Sequence, residues 1–259
     1  MAILCRKTIL LLIIFVGCSA LSHAQQSPQA IFDNANEKLE AGNYQQAISL
    51  YKNLEAENTV SGALYLNLGI SYQRIDSLGK AKYYFMKAAS FEETSGKAKQ
   101  ALKFVESQFS RQSAVLPKLP WDVATAWLQD NIGAENLLIA GIILLNIGVL
   151  IFVAHWFLSW HPRYLRLSGL IVIGLSALII VTSFYTRYVS ERYSKAVMVT
   201  QKVPVLEKPQ QEASLISQAF EGYTFTVDHY RSKSKPGWSY VRMSNGLYGW
   251  IPNSEILIL

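Results

Sequence analysis

Two uncharged apolar stretches separated by a six-residue connector constrain this 259-residue chain more than any other feature. Residues 137–160 carry no charge except whatever His155 bears, and residues 167–187 are uncharged until Arg187. At about 1.5 Å rise per residue, either is long enough to cross a hydrocarbon core about 30 Å thick. The connector, residues 161–166, permits only a tight hairpin. Both flanks then lie on the same side of any bilayer the hairpin crosses. Although 51% of the residues are hydrophobic, their concentration in blocks excludes a single soluble core, and the expected class is a multidomain membrane protein.

Arg163 and Arg166 in the connector, beside Trp156, Trp160 and Tyr164, place the turn in the cytoplasm by the positive-inside rule. Arg187, Arg192 and Lys195 beyond the second stretch pull weakly the other way. A third apolar block, Ile9 to Val16 behind Arg6 and Lys7, is followed by Ser22-His23-Ala24. It reads as a signal peptide over residues 1–24, delivering the N-terminal flank to the same external side as the hairpin argument does. A second reading stays open, in which Phe15-Val16-Gly17-Cys18 is a lipobox and Cys18 is lipidated. Both cysteines, Cys5 and Cys18, lie in this leader, so disulfides and thiol chemistry are excluded from the rest of the chain. Within the hairpin, Asn146 is expected to hydrogen-bond across to Ser176 or Thr182, and His155 to reach the headgroups beside Trp156.

In residues 28–109 a different regularity appears. Ala35, Asn43-Tyr44, Ala47 and Tyr51 meet Gly69, Ser77-Leu78, Ala81 and Phe85 at a spacing of 34 residues. Small residues stand where two helices touch closely, and an aromatic four positions on fills the gap. Helices are expected at 28–41, 44–57, 61–75, 78–91 and 94–109, with breaks at Gly42-Asn43, Asn58-Thr59, Asp76-Ser77 and Glu93-Thr94. The period and slots resemble the tetratricopeptide repeat, with Tyr65 to Tyr72 close to that family's first helix. The resemblance implies a protein-binding groove lined by Phe32, Asn36, Leu39, Leu66, Ile70, Gln73 and Arg74, extended by Lys97 and Gln100 from a capping helix. A two-repeat array is short, so a partner or a second copy is expected to complete it.

Residues 110–136 read as a linker, with Pro117 and Pro120, followed by an interfacial helix in which Trp121, Ala124 and Leu128 fall at helical spacing beside Trp127. From Ala196 to Leu259 the pattern turns to short alternating runs: Val203–Leu206, Tyr223–Val227, Trp238–Met243, Leu247–Ile251 and Ile256–Leu259. Gly222, Pro236-Gly237 and Asn245-Gly246 supply the turns. The ordered set ending in Gly249-Trp250-Ile251 resembles the bacterial SH3-like domain, a small all-β barrel. Alternation puts Val241 and Met243 on one face with Trp238 and Tyr240 on the other. Trp238, Tyr240, Tyr248 and Trp250 are therefore candidates for a ligand-binding aromatic floor, or for structural packing of the barrel ends.

No phosphate-binding, dinucleotide, zinc-protease or serine-hydrolase motif is present. His23, His155, His161 and His229 are dispersed over leader, membrane and strand, so no metal, cofactor or catalytic site is expected. The net charge of +6 is scattered, without the basic stripe that a nucleic-acid partner requires. The order leader, repeats, hairpin and SH3-like barrel resembles the BatE-type proteins of the Bacteroides aerotolerance operon. That resemblance implies a non-enzymatic inner-membrane scaffold with both large domains periplasmic, in contact with membrane lipid. Its implied partners are membrane-anchored von Willebrand A proteins and a MoxR-type ATPase. The alternative expectation is an envelope anchor or sensor whose barrel grips peptidoglycan.

Overall fold

The computed structural model describes residues 27–111, 115–117, 120–157 and 162–259. The leader, with its two readings, lies outside the described residues. The described chain is mostly helical, with a seven-stranded antiparallel sheet and two helices long and apolar enough to cross a membrane. It divides into two compact units, one made of the described residues up to Ser77 together with Tyr84–Ala101, the other of Leu78–Tyr83 with Leu102–Leu259.

The helical region runs α1 (Pro28–Glu40), α2 (Tyr44–Ala56), α3 (Gly62–Arg74), α4 (Leu78–Ala89) and α5 (Glu92–Gln108). Ser27 and Ser61 start α1 and α3 by accepting the amides of Ala30 and Leu64 at 3.2 and 3.1 Å. The 34-residue equivalence extends into the backbone. Gly42 and Asp76 both end a helix with φ of +77° and +59°. The amides that follow, Asn43 and Ser77, donate to Lys38 O and Tyr72 O at 2.8 and 2.9 Å. These are matching Schellman-type ends. Ala35, Ala47, Tyr51, Ala81 and Phe85 are fully buried. A Cβ added at Gly69 would sit 2.5 Å from the Phe85 ring, so the small slot and the aromatic plug need each other. Burying a large side chain such as Phe85 stabilises by about 1.5–3 kcal/mol, which outweighs the weak intrinsic propensity of short helices.

In the second unit, α6 (Pro120–Asn131) precedes α7 (Ala134–Phe157) and α8 (Pro162–Arg192). Only 17% of the most apolar window of α7 or α8 is buried in the protein, so these are not core helices of a soluble domain. The two pack along a seam of small residues. Ala134, Gly141 and Gly148 recur at seven-residue spacing on α7, and Gly169, Ser176 and Ser183 recur likewise on α8. A Cβ on Gly141 would lie 2.6 Å from Ile180, one on Gly148 2.9 Å from Ile173, and one on Gly169 2.8 Å from the Phe152 backbone nitrogen. Close approach of this kind is what holds apolar helices together where no hydrophobic force acts between them.

Three expectations about the hairpin are corrected. Asn146 does not reach across; its amide donates to Ile142 O of its own helix at 2.8 Å, and Ser176 and Thr182 likewise bond within α8. Ser183 links the helices, its hydroxyl donating to Ala134 O at 2.6 Å. The expected turn at residues 161–166 is helical from Pro162 onward, because proline suits the first position of a helix. Finally, α8 continues past residue 187 to Arg192 and passes without a break into the sheet.

The strands are β1 (Tyr193–Met198), β2 (Lys202–Leu206), β3 (Leu215–Phe220), β4 (Thr224–Asp228), β5 (Trp238–Met243), β6 (Tyr248–Pro252) and β7 (Ile256–Ile258), in the spatial order β3-β2-β6-β5-β4-β1-β7. A one-turn helix, α9 (His229–Ser232), follows β4. Strands β1 and β3 were not expected from the sequence. β1 shows no clean alternation because Ala196, Val197 and Met198 are buried in succession; it pairs on both edges, with β4 and with β7. β3 is an edge strand with little of it buried. Ala219 of β3 and Ile256 of β7, at opposite ends of the strand order, belong to one core cluster with Phe225, Val241 and Ile251, so the sheet coils on itself.

Candidate functional site

Strand pleating sorts β4, β5 and β6 into a core face and an open face. Phe225, Val227, Val241, Met243 and Ile251 point into the core, as the alternation of Val241 and Met243 implied. Thr226, Asp228, Tyr240, Arg242, Tyr248 and Trp250 share the other face through the pairs Thr226↔Arg242, Tyr240↔Trp250 and Arg242↔Tyr248. There Tyr240 stacks on Tyr248 at 6.1 Å and meets Trp250 edge-on at 5.2 Å. Trp238 lies further along the same face, opposite Pro252. Three of the four aromatic candidates are thus brought together.

The end of α8 approaches this face. Arg192, the last residue of the helix, donates from Nη2 and Nε to Asp228 Oδ2 at 2.8 and 3.2 Å. It also hydrogen-bonds the Tyr188 hydroxyl one turn back. Asp228 in turn caps α9, accepting the Arg231 amide at 3.1 Å. Ser232 ties α9 to β5, donating to Asp228 O at 2.7 Å and accepting the Tyr240 amide at 2.9 Å. Burial pushes the Asp228 carboxyl up, but the hydrogen bonds and charge of Arg192 and the backbone amides prevail and hold it below the usual carboxylate range. Burial likewise pushes the Tyr193 phenol up, against the pull of Arg192.

Between α6, the end of α8 and this face lies a cleft of about 680 Å³. Its walls carry Arg192, Arg231 and Arg242 together with Tyr185, Tyr193, Tyr240 and Tyr248. The Arg231 guanidinium lies 4.6 Å from the Tyr240 ring and that of Arg242 5.7 Å from the Tyr248 ring. The sequence reading missed these three arginines and Asp228 as site residues. The available signal was Arg242 standing two residues from Tyr240, on the same pleat.

The groove candidates of the helical unit fall into two groups. Phe32, Asn36, Leu39, Leu66, Ile70 and Gln73 are half-buried, whereas Arg74, Lys97 and Gln100 are exposed. Phe32 packs on Tyr51 at 5.8 Å. Asn36 Oδ1 accepts from the Tyr51 hydroxyl at 2.6 Å and from Asn67 Nδ2 at 2.9 Å, binding α1, α2 and α3 into one polar network. Asn36 is thereby committed to holding the helices together. Burial pushes the Tyr51 phenol up to about 12, with Asn67 opposing and Glu40 adding to the shift.

A second network joins Glu55 to Lys52 and Lys87, each at 2.8 Å, and to the Tyr84 hydroxyl at 3.1 Å. Tyr72 and Tyr65 stack on Tyr84 at 5.3 and 6.1 Å. The Glu55 carboxyl is pushed up by burial and pulled down further by the two lysines, ending below its ordinary value.

The chain thus joins a bundle of short helices to two membrane-length helices and a coiled antiparallel sheet. Comparison with protein families and with curated proteins finds no family model and no curated sequence that matches it.

Proposed function

We propose that the protein is a non-enzymatic membrane scaffold whose extramembrane domains bind other proteins. The observation that carries this reading is the 34-residue equivalence, which recurs in the small slots, the aromatic plugs and the helix ends at Gly42 and Asp76. It supports assigning α1–α5 to a tetratricopeptide-like array with a capping helix, an architecture that presents side chains for binding and does no chemistry of its own. The coiled sheet with Gly249-Trp250-Ile251 is read as an SH3-like barrel. Together with the hairpin, this order resembles the BatE-type scaffold, with von Willebrand A proteins and a MoxR-type ATPase as partners. By the positive-inside rule, Arg163 and Arg166 support a cytoplasmic turn with both domains in the periplasm.

The test is a mild-detergent purification of the tagged full-length protein from its native membranes. Recovery of von Willebrand A proteins is expected, weakened by Arg74→Glu at an exposed position together with Gln73→Ala at a half-buried one, while membrane insertion stays normal. Undiminished recovery with that pair would remove the groove as the binding surface.

A further inference from the structure

A membrane-spanning α8 would carry the cleft beside its end to the depth of lipid phosphates. α8 has 31 residues, about 46 Å at 1.5 Å each, which exceeds a hydrocarbon core of about 30 Å by roughly a headgroup layer at either end. Leu167, Leu170, Ile171, Leu175, Leu178, Val181 and Phe184 are exposed along its apolar length, and the exposed rings of Tyr185 and Tyr188 follow as an interfacial belt. Arg192 comes one turn after Tyr188, just beyond that belt. α6, which supplies the facing wall, exposes Val123 and Trp127. Such a helix suits the interface plane.

Among the described lining residues the charge is unbalanced. Asp228 is taken up by Arg192, and among the described residues no carboxylate forms an ion pair with Arg231 or Arg242. The Arg231 and Arg242 guanidiniums lie over the rings of Tyr240 and Tyr248, and the forked N–H groups of an arginine match the oxygens of a phosphate bidentately. A volume of about 680 Å³ suits a small molecule or one headgroup.

We propose that this cleft binds the phosphate of an anionic bilayer lipid, held by Arg231 and Arg242 with the tyrosines packed on the glycerol. The site rests on the two-span reading, because only a helix crossing the bilayer brings Arg192 to that depth. It would fix the domain against the outer leaflet by a bond that depends on lipid charge.

The experiment uses the full-length protein, delipidated in detergent and titrated with phosphatidylglycerol or phosphatidylcholine under native mass spectrometry. Phosphatidylglycerol is expected to bind preferentially, and Arg231→Gln with Arg242→Gln to weaken it by about tenfold or more. Lys233→Gln with Lys235→Gln, the same charge change outside the cleft lining, is expected to leave it unchanged. Equal binding of the two lipids, or equal loss in both double variants, would overturn the site. Displacement by glycerol 3-phosphate at concentrations comparable to the lipid's would reassign the pocket to a soluble phosphate. Displacement by a cell-wall muropeptide alone would overturn the lipid assignment in favour of the wall. Alkaline extraction from vesicles separates the two layers of the argument. Extraction of the wild-type protein would remove the two-span reading and the site with it, whereas retention without lipid selectivity would remove the site alone.

Discussion

Arg192 and Asp228 join the last turn of a membrane-length helix to the second of the two strands that meet it, with Nη2 and Oδ2 2.8 Å apart. Because α8 runs directly into β1 and Tyr193 pairs with Asp228, the clamp sits at the junction and sets how the sheet leaves the helix. The Asp228 carboxyl titrates below its unfolded value, so its contribution is present above about pH 4 and disappears as the pH falls through the lower folded value. Asp228→Asn should lower the melting temperature at pH 7 by an amount on the order of a few degrees, since solvent screens the pair. That deficit should shrink as the pH falls below about 4. A deficit independent of pH would show that the side chain acts through packing.

Gly69 and Phe85 should behave as a coupled pair. Gly69→Val alone should destabilise the helical region by about 3 kcal/mol or more, because the new side chain meets the ring of Phe85. Combined with Phe85→Ala it should cost less than the sum of the two single changes, with a coupling of about 1 kcal/mol or more by chemical denaturation. Simple additivity would refute the plug-and-slot description.

Tyr51 supplies an alkaline prediction. Its phenol is raised to about 12, above an unfolded value of about 10. The stability it contributes is therefore complete below pH 10 and lost as the pH rises toward 12. Tyr51→Phe should flatten the fall in stability over that window and remove one high-titrating tyrosine from the absorbance titration. Asn36→Ala, which leaves the Tyr51 hydroxyl without its 2.6 Å acceptor, should cost about 1–3 kcal/mol.

The hairpin seam can be read by cross-linking. Ala134→Cys with Ser183→Cys, beside the 2.6 Å interhelical hydrogen bond, should be bridged in vesicles by a short bifunctional thiol reagent. Gly169→Leu should abolish that cross-link, because its side chain would strike the Phe152 backbone. Gly174→Leu, where nothing lies within 4 Å of the added Cβ, should leave it intact.

Much of the architecture could be read from residue order alone. The five helices between Pro28 and Gln108 begin and end within two residues of their expected bounds, because their limits are set by local chemistry: serine caps, left-handed residues at Gly42 and Asp76, and a periodic apolar face. The membrane-length helices were equally plain, since composition over some twenty residues suffices to define them. Strand β5 was placed correctly because its alternation is local.

The tertiary structure decided what depends on partners distant in sequence. β1 looks irregular until β4 and β7 flank it, and β3 is too exposed to show an apolar period. Asn146 found its acceptor within its own helix, where a carbonyl four residues back is always in reach, and the packing fell instead to small residues at heptad spacing. The cleft was out of reach of the sequence for the same reason. Arg192, Asp228, Arg231, Arg242 and Tyr248 are spread over 56 positions, and only the pairing of β4, β5 and β6 beside the end of α8 brings them together.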